Sequence, residues 1–151
     1  TRHADDAVLD SSKGIPCAIA MLDDELYWHH SVSQMLTLQF VGSDLTMTFD
    51  QDTPGKLPDG WSIRQTRPTK ALATWQVTPD STAPSMPHVL ALTKTENYGE
   101  TFNLAIDENT SFKDLDLTVK VKGVRGEEDQ GGGPIWRCRD ENNYYICPLN
   151  P

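Results

Sequence analysis

Asp114-Leu-Asp-Leu-Thr-Val-Lys-Val121 is the stretch that decides the fold. Leu115, Leu117, Val119 and Val121 fall on one side of an extended chain, and Asp116, Thr118 and Lys120 on the other. Successive side chains of a strand point to opposite faces, so this period of two marks a half-buried strand. The four apolar residues are expected to face a core.

Downstream, residues 123–133 contain five glycines and read as a loop. Ile135-Trp-Arg-Cys138, Asp140-Glu-Asn-Asn143 and Tyr144-Tyr-Ile-Cys147 then read as a hairpin with a polar turn. With Asp140 opposite Asn143, Cys147 is expected to face Trp136 and Cys138 to face Tyr145. The two cysteines would be diagonal neighbours, which is not the favoured geometry for a disulfide. Tyr144 and Tyr145 must point to opposite faces.

Upstream, Leu45–Phe49, Thr74–Thr78, Val89–Leu92 and Thr101–Ile106 also read as short strands. Asp52-Thr-Pro-Gly55, Pro58-Asp-Gly60 and Asp107-Glu-Asn-Thr110 are turn sequences between them. Seven short strands with little helix between them predict an all-β fold, an antiparallel β-sandwich or barrel. Residues 1–44 read differently. Ile19, Leu22 and Leu26 have the spacing of a helical face, which predicts a short helix within 18–34, with Pro16 near its start. The expected organisation is an N-terminal segment over 1–44 and a β domain over 45–151.

The 151 residues suit one domain, and the mean hydropathy of -0.51 suits a globular chain with a modest core. No run of 18 apolar residues occurs, so membrane insertion is not expected. The net charge of -9 repels phosphate backbones and argues against nucleic acid. Residues 1–44 carry seven acidic and two basic residues, a denser charge than the rest, which hints at a boundary near 44. Three cysteines, Cys17, Cys138 and Cys147, form no CxxC pair, so a structural zinc site is not expected.

Several segments together resemble a family of secreted bacterial proteins of uncharacterised function, among the concanavalin A-like (laminin G-like) jelly rolls and near the 3-keto-disaccharide hydrolases. They are Thr48-Phe-Asp50, Gly55-Lys-Leu-Pro-Asp-Gly-Trp61, Trp75-Gln-Val77, Ala83-Pro84 with Val89-Leu-Ala91, Asp129-Gln-Gly-Gly-Gly133 and Trp136-Arg-Cys-Arg-Asp-Glu-Asn-Asn-Tyr-Tyr145. The resemblance covers about residues 45–145. It implies a jelly-roll fold and a secreted or periplasmic place, and it speaks for fold more than for function. Pro134 stands where the family has an apolar strand residue. Proline lacks a ladder donor, so the strand is expected to start later or to lie at an edge. The family continues beyond Tyr145 with further strands, whereas Cys147-Pro-Leu-Asn-Pro151 follows here. The jelly roll is therefore expected to be incomplete, with 144–147 as an unpaired edge through which the chain self-associates.

Glycoside hydrolysis uses two carboxylates, and the Glu-x-Asp-x-x-Glu pattern of jelly-roll glycosidases is absent. Asp114 and Asp116 come nearest and read as a solvated outer face. No cofactor is expected. Hard oxygen ligands for calcium occur at Glu127, Glu128 and Asp129 and at Asp140, Asn142 and Asn143, without EF-hand spacing, and both stretches read as solvated turns. The adjacent His29 and His30 do not converge on one ion. Trp75 and Trp136 read as core. Arg137, Arg139, Asn143, Tyr144 and Tyr145 form the best binding patch, because sugars stack on aromatic rings and polar groups fix their orientation. The leading expectation is a carbohydrate-binding module without catalysis. The alternatives are a sugar-active hydrolase, and a fragment or subunit of a larger assembly without its own ligand.

Overall fold

The alternating stretch forms a strand over Asp116–Lys122, exposed and half-buried by turns along its whole length. Leu115, Leu117, Val119 and Val121 pack against the main buried cluster, as their spacing requires. The computed structural model describes residues 45–97, 99–113, 115–124 and 131–149, together with the backbone of 18–22 and 32–39. No helix occurs among the described residues. In chain order the strands are β1 (Ala18–Leu22), β2 (Val32–Gln39), β3 (Leu45–Met47), β4 (Trp61–Gln65), β5 (Thr74–Pro79), β6 (His88–Lys94), β7 (Phe102–Asp107), β8 (Asp116–Lys122), β9 (Gly132–Asp140) and β10 (Asn143–Ile146).

They form two five-stranded sheets. One runs β10-β9-β1-β7-β4, and the other contains β3, β2, β6 and β5 with β8 paired on β2. Every pairing is antiparallel. Trp75, Val77, Leu90 and Leu92 of the second sheet share a buried cluster with Ala105 of the first, and Trp61 and Ile63 pack onto it. Leu104 and Ile106 alternate with Ala105 and so lie on the other face of β7. There they join Ile135 and Cys138 in a second cluster. The first sheet therefore buries apolar residues on both faces.

The N-terminal segment departs from expectation. The helix expected within 18–34 meets strand at both ends, β1 at Ala18–Leu22 and β2 from Val32, and residues 23–31 lie outside the described residues. A spacing of three and four over so short a run does not separate helix from buried strand. β1 lies between β7 and β9, and β2 lies between β6 and β8, so strands from before residue 44 take interior places in both sheets.

The hairpin also corrects the sequence reading. Asn143 does pair with Asp140, but Tyr145 then pairs with Trp136 rather than Cys138. Two extra residues bulge out of β9, and Arg137 adopts a left-handed φ of 51°. Cys147 consequently lies opposite Pro134 and donates its amide to the Pro134 carbonyl at 3.1 Å. Pro134 itself neither starts the strand nor sits at an edge. β9 begins two residues earlier, at Gly132, and runs between β10 and β1. The carbonyl and the missing N–H of one strand residue point the same way, so the lost donor faces Cys147 and the β1 ladder loses nothing. Gly133 permits this arrangement. A Cβ there would run into the carbonyl of Cys147.

Beyond the bulge the hairpin bends across the sheet. Thr66 follows β4, at the opposite edge from β10. Its hydroxyl nevertheless bonds the Glu141 carbonyl at 2.7 Å and the Tyr144 hydroxyl at 2.6 Å. The hairpin tip thus lies over β7 and β4, and Phe102 meets Tyr144 edge to face. This crossing covers Leu104 and Ile106.

Candidate functional site

The two sheets part between β8 and β9, where a cleft of about 550 Å3 opens. Phe112, Lys113, Leu115, Asp116 and Leu117 form one wall. Pro134, Trp136, Arg137 and Cys147 form the other. Each wall has a local cause. Alternation on β8 turns Leu115 and Leu117 inward. On β9, Trp136 is the last residue before the bulge, and the bulge carries Arg137 off the regular pleat beside it. Bulges of this kind re-aim a side chain next to binding sites.

Tyr145 lies across from Trp136, with the rings stacked at 6.0 Å and 17° between planes. Tyr145 is 57% exposed, so the pair presents aromatic surface to solvent beside the cleft. Its neighbour Tyr144 points the other way, half-buried against Phe102 and bonded to Thr66. Burial raises the Tyr144 phenol above its ordinary value, although the Thr66 bond works in the opposite direction. Asn143 is occupied within the turn, donating its side-chain amide to both Asp140 oxygens at 2.8 and 2.9 Å. The Asn142 amide adds a third bond to the same carboxylate, and these bonds hold the Asp140 carboxyl below its usual range. Arg139 is exposed on the arm beyond the bulge.

The expected patch of Arg137, Arg139, Asn143, Tyr144 and Tyr145 is therefore divided. Arg137 and Tyr145 stand at the cleft with Trp136. Tyr144 and Asn143 hold the hairpin together. Trp136, expected in the core, is half-buried and lines the cleft, while Trp75 is in the core at 2% exposure. Lys113 escaped the sequence reading altogether, because only the packing of β8 near β9 brings it to the same cleft as Arg137.

A second groove of about 420 Å3 is lined by Asp50, Asp52, Asp59 and Asp107, with Trp61. Two of these acids are already committed to local structure. Asp50 accepts the Ser85 hydroxyl and the His88 amide, and the Ser85 bond pulls its carboxyl below the usual range. Asp107 accepts the Asn109 amide at 3.0 Å. Among the described residues no three His, Cys, Asp or Glu side chains cluster as metal ligands. The acidic stretch 127–129, Asp114, Cys17, His3, His29 and His30 lie outside the described residues. Cys138 and Cys147 are free thiols.

Comparison with family models, with curated proteins and with solved structures found no match to this chain.

Proposed function

We propose that the two sheets form a β-sandwich of the concanavalin A-like, jelly-roll kind, and that the chain is a carbohydrate-recognition module of an exported protein. The sugar enters the cleft between β8 and the hairpin. The observation that carries this reading is the conjunction at β9: a left-handed arginine at a bulge, next to a stacked and exposed Trp136–Tyr145 pair, on the wall of a cleft. Aromatic faces take the C–H faces of a pyranose, and a small number of placed polar groups set its orientation. Asp116 and Arg137 supply an acceptor and donors for sugar hydroxyls. Backbone strain in a residue with a side chain clusters at functional sites, and of the left-handed residues Phe49, Arg67 and Arg137, Arg137 is the one on this cleft.

Recognition is favoured over hydrolysis by the acids present. A glycosidase places two carboxylates about 5–9.5 Å apart. Among the described residues Asp116 is the one carboxylate lining this cleft.

Glycan-array screening followed by calorimetry tests the reading. A ligand is expected whose affinity falls about tenfold or more in Trp136→Ala and in Tyr145→Ala, the loss of one stacking partner each. Tyr145 is exposed, so Tyr145→Ala should melt near the parent temperature. An empty array, or binding that both variants preserve, overturns the proposal.

A further inference from the structure

The charge of the cleft is at odds with the charge of the molecule. The chain carries -9 overall, yet among the described residues Lys113 and Arg137 line the cleft against one carboxylate, that of Asp116. Neither cation has an ion-pair partner among the described residues, a state they share with Lys56, Lys70, Lys120 and Arg139, so both are free to meet an anion. Arg137 is also the residue for which β9 gives up its register and accepts a left-handed backbone. A guanidinium beside an aromatic pair, with an ammonium on the facing wall, is a cradle for an anion carried on a ring.

We infer that the cleft selects an acidic sugar, a pyranose bearing a carboxylate, and that Arg137 and Lys113 hold that carboxylate while the ring lies on Trp136 and Tyr145. This rests on the sugar-recognition reading above and narrows it to a substrate class. Arginine meets a carboxylate through two parallel N–H bonds, which fixes orientation as well as charge. Lysine adds a point charge that needs no set geometry. Asp116 keeps hydrogen-bond acceptance for hydroxyls and, by its charge, opposes a second anionic group in the cleft. The rest of the acidic surface repels polyanions at long range, so contact depends on the short-range pair and the ring together.

The test is calorimetry of the full chain with tetramers of galacturonate, glucuronate and mannuronate, with their methyl esters, and with a sulfated galactan tetramer. A methyl ester keeps the ring and removes the charge. At least one free acid is expected to bind about tenfold or more tighter than its ester. Lys113→Gln is expected to weaken the acid and leave the ester unchanged, Arg137→Gln to weaken the acid more than the ester, and Arg137→Lys to restore only part of the loss. Raising salt from about 0.05 to about 0.5 M should weaken the acid alone. Equal affinity for acid and ester overturns the charge inference and leaves the sugar reading intact. Preference for the sulfated tetramer overturns the carboxylate assignment. Failure of every sugar to bind, acid, ester and sulfate alike, overturns both.

Discussion

At the scale of single residues, Arg137 holds a conformation that its Cβ disfavours by about 1–2 kcal/mol, while glycine adopts it freely. Arg137→Gly is therefore expected to leave stability unchanged or raise it by up to about 1 kcal/mol, while weakening sugar binding. Denaturant melts and calorimetry on one preparation read both quantities. A variant that is destabilised and still binds would mean that the bulge serves packing rather than recognition. Tyr144 offers the opposite case. Its hydroxyl bonds Thr66 on the far side of the sheet from the cleft, so Tyr144→Phe should cost about 0.5–1.5 kcal/mol and leave binding unchanged. Burial lifts the Tyr144 phenol and the Cys138 thiol above their ordinary values of 10.0 and 9.0. An acid whose folded value is raised contributes stability that is complete below its unfolded value and is lost as pH climbs through the folded one. The melting temperature is thus expected to hold up to pH 9.0 and then to fall. Cys138→Ala combined with Tyr144→Phe should flatten that fall. An unchanged alkaline slope in the double variant would exclude these two groups as its source.

At the scale of elements, the hairpin owes its shape to Gly133 and the bulge together. Gly133→Ala sets a Cβ against the Cys147 carbonyl, backbone against side chain with no flexible atom to yield. The segment after β10 must then separate from β9, where Leu149 now donates its amide to the Gly132 carbonyl at 2.8 Å. A loss of about 1–3 kcal/mol is expected, and hydrogen exchange should show the Leu149 amide losing protection first. The strands from Leu45 onward were legible because each alternates or lies between turn residues, and β8 is the clearest of them. β4 alternates too, as Trp61-Ser-Ile-Arg, directly after the Pro58-Asp-Gly60 turn, and is not among the expected strands. β1 was hidden because Ala18-Ile-Ala-Met-Leu22 is an unbroken apolar run, and β2 because Leu36-Thr-Leu-Gln39 alternates over only four residues. The bulge carried no signal either. Left-handed positions are read from glycine or asparagine, and this one is an arginine. Half of the cleft was legible, in Arg137 and Tyr145. The other half belongs to Lys113 and Asp116, which only the approach of the two sheets brings into range.

At the scale of the molecule, the strands that come first in the chain are interior strands. β1 joins β7 to β9, and β2 joins β6 to β8. Among the described strands β10 ends the first sheet, and the exposed Tyr145 and Leu149 lie along it or just beyond it. A fragment beginning at residue 45 therefore loses more than an appendage. Its first sheet falls into two pairs, β10 with β9 and β7 with β4. β8 loses the one strand partner it has among the described residues, and the inward face of Leu117, Val119 and Val121 is left on an isolated strand. Isolated hairpins are marginal in water, and loose strand edges recruit other chains. The 45–151 fragment is expected to melt without cooperativity and to aggregate, while the whole chain shows a single transition. Circular dichroism melts and light scattering on the two proteins make the comparison. Adding a 1–44 peptide in trans should restore part of the transition, since β1 and β2 need only their neighbours to pair. A fragment that is monomeric and melts as sharply as the whole chain would show that neither strand is required, and the order of both sheets would have to be redrawn.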